Sequence, residues 1–365
     1  MGGEMDRGER ATVAVLASVS GFGAREFGRG LSRVETVQEI WEADDASLAW
    51  MGYSKAMVRK ILKRKAEVEP DKYLESLEAR GIGVLSVLDG DYPPKLREIQ
   101  NPPFVLFIRG RLPSTDRPWL AVVGTRKPTA YGEWVVEKLV APVAAQGVVI
   151  VSGLDFGIDA LAHRVTLEVG GQTVAILGGG VDKIQPSGNK KLGERIIKER
   201  GAVASEYSPE SEVLKQNFVI RNRIVAGACW AVLVVQGTSK SGTLVTAREA
   251  NKEGRLVLAV PGPLDSEMSE APNSLIQQGA GVVLSANDIL ERLGVGGSAR
   301  RKAEMDLSRL SDDQRKVWEA LTEAKDLSLV SREIGVSVGE LTGVVTLMEL
   351  AGLVVVEGGV VRRKV

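Results

Sequence analysis

The chain has 365 residues, with 47 Lys and Arg matched by 47 Asp and Glu, one Cys and one His, so it offers no net attraction to a polyanion, no internal disulfide and no Cys and His metal cluster. Its length exceeds what one hydrophobic core usually organises, and two or three domains are expected. No apolar run reaches the roughly 18 residues of a membrane span, and the opening MGGEMDRGER lacks the apolar stretch of a signal peptide, which predicts a cytoplasmic protein without membrane attachment.

In chain order, residues 1–75 read as a helical domain. Within LASVSGFGAREF, Gly21-Phe22-Gly23 between apolar positions resembles a helix-hairpin-helix turn, whose exposed amides can hold a phosphate; a tight turn between packed helices explains it equally. The basic run KAMVRKILKRK, 55–65, places Val58, Ile61 and Leu62 on one helical face, the pattern of a solvated helix surface, with DNA contact as the alternative.

Residues 76–297 form the second domain, with a lead-in segment to 112. From 113 onward, short Val, Ile and Leu runs alternate with helical patterns, which predicts a Rossmann-like, doubly wound α/β fold with a mainly parallel sheet. Strands are expected at 120–123, 148–151, 173–177, 202–205, 231–235, 256–260 and 282–284, and helices at 133–145, 159–169 and 244–253. Pro142 should kink the first helix or end its regular part. Residues 298–304, SARRKAE, read as a linker. In 305–365, Ser311 with Gln314 and Ser337 with Glu340 have capping-box spacing, and Gly358-Gly359 joins two strand-like runs, which together predict a winged helix. Its expected recognition helix, 337–350, contains no Lys or Arg, which favours a protein partner over a DNA groove.

In an open parallel sheet, ligands bind outside the carboxyl ends of the strands. Four unusual loops fall there. VVGTRKPTAYG, 122–132, offers Arg126 and Lys127, with Gly124 letting a ligand approach the backbone. SGLDFGIDALAH, 152–163, carries Asp155, Asp159 and His163. LGGGVDKIQPSGNKKL, 177–192, carries Lys183, Asn189 and Lys190. VVQGTSKSGTLVTAREA, 234–250, sets Lys240, Ser241, Gly242 and Thr243 just before a helix, in the manner of an anion cradle of free amides, two hydroxyls and one ammonium. NFVIRNRIVAG, 217–227, adds Arg221, Asn222 and Arg223; the two guanidinium groups share a face if the segment is extended and diverge if it is helical, and one of them is a candidate to pair with Glu206 or Asp159. Turn geometry alone would explain any one loop. Four loops with cations beside Gly and Ser at one sheet edge point to an anionic ligand.

Two familiar chemistries fail on spacing. Lys240 precedes Gly242 where a Walker A loop needs the reverse, and no Gly-x-Gly-x-x-Gly follows the first strand, so nucleotide hydrolysis and hydride transfer are disfavoured and no cofactor is expected. His163 has no Ser or Cys nucleophile set against it by spacing; a structural role is expected, with Asp159 at i−4 as its partner. The rival reading is a hydrolase of nucleotides or phosphoribosyl compounds, for which Glu206, Asp159 and Glu249 are the available carboxylates.

In order, DYPPKLREIQNPPFVLFIRG (91–110), GTR, SGLDFGIDALAH, the glycine-rich loop with Pro186 and Asn189, SEYSP (205–209), RNRIVAG (221–227), SKSGTLVTAREA, AVPG (259–262) and NSLIQQGA (273–280) resemble the DNA-processing protein A family, DprA or Smf, over essentially the whole chain. The resemblance implies a SAM-like or helix-hairpin-helix-like N-terminal domain and a non-catalytic protein of natural transformation. Such a protein binds incoming single-stranded DNA, protects it, loads the RecA recombinase on it and pairs as a homodimer through its Rossmann-like domain. Carried over by position, Arg126, Lys183, Asn189, Arg221 and Arg223 would contact DNA; Ser241, Gly242 and Thr243 join on the cradle argument. The chain departs from the family pattern at Ile184-Gln185-Pro186, where Tyr-Pro is usual, at Val219, where Pro is usual, and at Pro272, where Gly-Thr is common. Losing that tyrosine removes one base-stacking platform, for which Phe218 or Tyr207 are the available substitutes.

Overall fold

The computed structural model describes residues 5–295, 310–321, 324–350 and 353–363. The expected linker at 298–304 lies outside them. Residues up to Val295 form one compact unit and the remainder a second.

The first unit opens with six helices: α1 Arg7–Ala17, α2 Ala24–Leu31, α3 Val37–Glu42, α4 Asp45–Trp50, α5 Lys55–Glu67 and α6 Pro70–Ala79. Strand β1 Gly83–Ser86, the short α7 Pro94–Arg97 and β2 Val105–Gly110 lead into the sheet. The chain then alternates β3 Trp119–Val123, α8 Ala130–Ala145, β4 Val149–Ser152, α9 Ile158–Glu168, β5 Thr173–Ile176, α10 Lys190–Lys198 and β6 Ala202–Ser205. It continues with α11 Lys215–Ile220, α12 Asn222–Gly227, β7 Ala231–Val234, α13 Gly242–Lys252, β8 Leu256–Ala259, α14 Glu270–Gln277, β9 Gly281–Val282 and α15 Ala286–Arg292. The sheet order is β1-β2-β6-β5-β4-β3-β7-β8-β9, with β3 to β9 parallel and β2 antiparallel to both its neighbours. The fold is therefore α/β with a large, mainly parallel, doubly wound sheet. Helix α8 runs through Pro142 to Ala145, so the proline does not end it.

Buried parallel strands are apolar on both faces, and alternation sends successive residues to opposite layers. Leu120 and Val122 of β3 pack with Val136, Val140, Ile158 and Ile289, which belong to α8, α9 and α15. Ala121 and Val123 of the same strand pack with Ile224, Val225 and Ala247, which belong to α12 and α13. The N-terminal helices share one apolar cluster with Phe107 of β2, Ala175 of β5 and Val203 of β6, so the core does not break near residue 75. The run 55–65 is α5; it buries Val58 and Ile61, and Lys60 donates to the Ser20 carbonyl at 2.8 Å, which ties α5 to the Gly21-Phe22-Gly23 turn between α1 and α2.

The second unit has its own core around Val317, Val330, Leu341, Val345 and Val361. It comprises α16 Asp312–Ala320, β10 Lys325–Asp326, α17 Leu327–Ile334, α18 Val338–Leu350, β11 Val354–Glu357 and β12 Val360–Arg363, in an antiparallel sheet of order β10-β12-β11. Both expected capping boxes form, at Ser311 with Gln314 and at Ser337 with Glu340. Gly358 and Gly359, with φ of 58° and 84°, make the hairpin turn that L side chains would strain.

Candidate nucleic-acid interface

From β3 the chain winds one way through β4, β5 and β6, and from β7 the other way through β8 and β9. Loops leaving β3 and β7 therefore diverge to opposite faces and open a crevice at their carboxyl ends. A cavity of about 360 Å³ lies there, lined by Gly124, Thr125 and Arg126 after β3, Gly153, Asp155 and Asp159 after β4, Phe218, Arg221 and Asn222 before β7, and Ser241, Gly242 and Thr243 after it.

The loops are locked to one another through the backbone. The Thr125 amide donates to the Gln236 carbonyl at 2.8 Å, and the Ile158 amide donates to the Thr125 carbonyl at 3.1 Å. Gly157 sits at φ 75°, and a Cβ there would come within 2.3 Å of the Thr125 oxygen, so only glycine allows this approach. Gly124 was expected to admit a ligand. Its neighbour is instead the Ile158 side chain, 2.5 Å from where a Cβ would stand, so this glycine serves helix packing.

Asp155 organises the cations. One carboxylate oxygen accepts from Arg126 Nη2 at 2.9 Å, and the other accepts from Arg221 Nη2 at 3.1 Å. The two arginines differ in kind: the Arg126 side chain is 64% exposed and reaches the mouth of the cavity, whereas that of Arg221 is 2% exposed. Arg221 also donates through Nη1 to the Ile176 carbonyl, and a Cβ on Gly153 would collide with its guanidinium. Arg221 has helical backbone angles at the start of α12, so Arg223 points elsewhere and pairs with Glu206, with both side chains largely buried. The helical alternative is the one realised. Arg221 and Arg223 are thus spent on internal carboxylates rather than presented to solvent.

Asn189 is likewise internal: its amide nitrogen donates to the Leu154 and Asp155 carbonyls at 2.8 and 3.1 Å, which straps the loop after β5 onto the loop after β4. Lys127, Lys183, Lys190 and Lys240 are exposed on loops or helix starts at the carboxyl ends of β3, β5 and β7, and among the described residues none of them is in a salt bridge. Asn222 is half-buried in the cavity wall. At the start of α13, Ser241 caps the helix by accepting from the Thr243 amide, and its hydroxyl shares a 2.7 Å hydrogen bond with Thr243 Oγ1. The Ser239 amide is taken by Glu270 at 2.8 Å. The cradle therefore has fewer free amides than the sequence suggests, while Gly242 faces open space.

The titratable groups separate clearly. His163 is fully buried, its Nδ1 lies 2.7 Å from Thr173 Oγ1, and that hydroxyl donates to the Ile150 carbonyl, so Nδ1 carries the proton. Its partner is Thr173 rather than Asp159, because Asp159 is engaged by the Gly153 amide at 3.0 Å. Burial pushes the His163 pKa down to about 3, which keeps the ring neutral. Burial, and then the Asp155 charge, push Asp159 up to about 6. Burial also raises Glu206, against the pull of Arg223. Glu249 makes an ion pair with Lys252 at 3.8 Å on α13.

Sequence reasoning missed the bridging role of Asp155 and the exposure of Phe156. Gln185, directly before Pro186 and so in the tyrosine's place, is exposed but has no ring to stack on a base, and Ile184 before it is buried. Phe218 and Val219 line the cavity, and Phe156 is 48% exposed beside Gly188. No helix among the described residues is long and apolar enough to cross a membrane.

A family model described as DNA recombination-mediator protein A matches residues 83–294. The chain is 37% identical over 295 residues to Protein Smf of Synechocystis, covering 80% of this chain and 74% of that protein. It is 38% identical over 263 residues to DNA processing protein DprA of Bacillus subtilis, covering 69% and 88%. The X-ray structure of DNA processing protein A from Streptococcus pneumoniae matches with a TM-score of 0.67 at 33% identity, over 79% of this chain and 98% of that one. DNA processing protein A from Helicobacter pylori, a structure described in terms of its single-stranded DNA binding mode, matches with a TM-score of 0.53 at 28% identity, over 58% and 95%. The matched span contains every loop that builds the crevice, and on that ground the chain belongs to the DNA recombination-mediator protein A family.

Proposed function

We propose that this protein binds single-stranded DNA in the crevice between β3 and β7 without cutting it. The carrying observation is that Arg126 stands exposed at the mouth of a pre-formed cavity at the topological switch point, paired with Asp155. Arg126, Lys127, Lys183, Lys190 and Lys240 meet phosphates in this reading; Asn222, Ser241, Gly242 and Thr243 form the wall. Asn189, Arg221 and Arg223 act as positioning residues, since their polar groups are spent on the scaffold. The Helicobacter pylori structure, described for its single-stranded DNA binding mode, supports the ligand class. Phosphates carry no base identity, so sequence preference is weak.

Family membership supports the wider setting: a cytoplasmic protein of natural transformation that protects incoming DNA, loads the RecA recombinase on it and works as a homodimer through the Rossmann-like domain. The C-terminal unit acts as a winged helix that meets a protein partner, in keeping with a helix α18 that lacks Lys and Arg. Replacing Arg126 by Ala tests the crevice directly: affinity for single strands falls about tenfold, from loss of one charge-assisted contact, and falls alike for every sequence. Loss confined to one sequence contradicts the scheme.

A second reading, a hydrolase, rests on Asp159, a carboxyl in the cavity wall with its pKa raised to about 6. Incubation with a panel of nucleotides at high protein concentration, with Asp159→Asn as control, decides between them. Product formation abolished by that change favours the enzyme.

A further inference from the structure

The cations of the N-terminal helices fall into three sets, one of which, Lys60 and Lys65, donates to the Ser20 and Ala43 carbonyls. Arg7, Arg10, Lys63, Arg64, Lys72 and Arg80 pair with carboxylates. Arg25, Arg29, Arg33, Lys55 and Arg59 form no salt bridge among the described residues, and all five lie on α2, just after it, or on the first turns of α5. Arg25 and Arg29 are four apart on one helix, as are Lys55 and Arg59 on the other, so each pair shares a face.

Trp50, the last residue of α4, has 62% of its surface exposed. Tryptophan is usually well buried, and no other large hydrophobic side chain among the described residues 5–87 is exposed, so Trp50 is not part of an apolar docking face. The Arg33 guanidinium lies 5.7 Å from the centroid of its ring. Arg29 Nη1 donates to the Gly52 carbonyl at 2.7 Å, and Gly52, at φ 89°, turns the chain from α4 towards α5. The ring thus has the Arg33 guanidinium beside it and is followed by a turn to which Arg29 is bonded, on a short helix that opens with Asp44 and Asp45.

An exposed aromatic ring with a cation beside it is a combination that holds a single strand, by stacking on a base and neutralising a neighbouring phosphate. We propose that Trp50, with Arg25, Arg29, Arg33 and Lys55, is a second platform for single-stranded DNA, engaging a segment of the strand beyond the crevice. This rests on the crevice reading for its ligand class.

The test uses the full chain and labelled oligothymidylates of about 6 and about 30 nucleotides, the shorter sized for one site and the longer for both. Trp50→Ala lowers affinity for the longer oligonucleotide about tenfold and leaves the shorter unchanged, while Trp50→Phe retains most of the affinity. Arg126→Ala weakens both. An unchanged affinity of Trp50→Ala for the longer strand overturns the platform, as does an equal loss on the shorter one. A change in sedimentation of Trp50→Ala without any change in DNA affinity also overturns it, by assigning the ring to a contact between copies of the chain. If Arg126→Ala weakens neither oligonucleotide, it is the crevice that fails.

Discussion

Replacing Asp155 by Ala should push stability and DNA affinity in opposite directions. The carboxylate holds two arginines that differ in exposure: the Arg221 side chain is 2% exposed and that of Arg126 is 64% exposed. Removing one partner of a buried pair leaves an uncompensated charge in a low-dielectric setting and costs about 3–5 kcal/mol. Arg221 keeps its bond to the Ile176 carbonyl, which places the loss near the lower end, about 3 kcal/mol. For a unit of this size each kcal/mol lowers Tm by about 2–4 °C, so a fall of roughly 6–12 °C is expected. At Arg126 the same substitution removes a solvent-screened competitor worth at most about 1 kcal/mol. Single-strand affinity at low salt should therefore rise, by up to about fivefold. Thermal melts and oligonucleotide titrations on the same preparation read both effects. An unchanged Tm would refute the burial argument for Arg221, and a lower affinity would refute the view that Asp155 competes with DNA for Arg126.

Two further outcomes are expected. Gly157→Ala puts a Cβ within 2.3 Å of the Thr125 carbonyl at a left-handed φ, so chemical denaturation should show a loss of at least about 2 kcal/mol and single-strand binding should weaken as the loop shifts; full stability would mean the loop contact is unimportant. His163 is the chain's one histidine, so its imidazole proton signals need no assignment, and they should stay flat between pH 8 and 5 because burial holds the folded pKa at about 3. The unfolded chain binds that proton near pH 6.5, so the neutral ring's contribution is fully present above that value and is lost as pH falls towards 3. A midpoint near 6.5 in the folded protein would contradict the buried assignment.

Most of the parallel strands were legible because they are buried on both faces and read as largely apolar runs; β3, WLAVV, is buried throughout, whereas β9 at the far edge is not. Strands β1 and β2 were not read as strands, because their burial is partial and their pairing antiparallel, at the edge of the sheet. The loops at the carboxyl edge were legible from glycine and cation spacing. Which cations face solvent was not: Arg221 meets a carboxylate 66 positions away, and no local pattern encodes so distant a pairing. The Glu206 pairing was among the alternatives named, and it fell to Arg223. Proximity at i−4 suggested Asp159 for His163, but the buried Gly153 amide needed an acceptor and took that carboxylate. Trp50 carried no signal in the sequence, since its exposure depends on how α4 packs.

The most direct test of the central claim is a gel-shift comparison of single-stranded and duplex DNA across a salt series. With about five exposed cations meeting phosphates, log affinity for the single strand should fall against log salt with a slope near −3.5, and the duplex should bind more weakly at every salt concentration. A slope close to zero, or a duplex bound as tightly as the single strand, would contradict it.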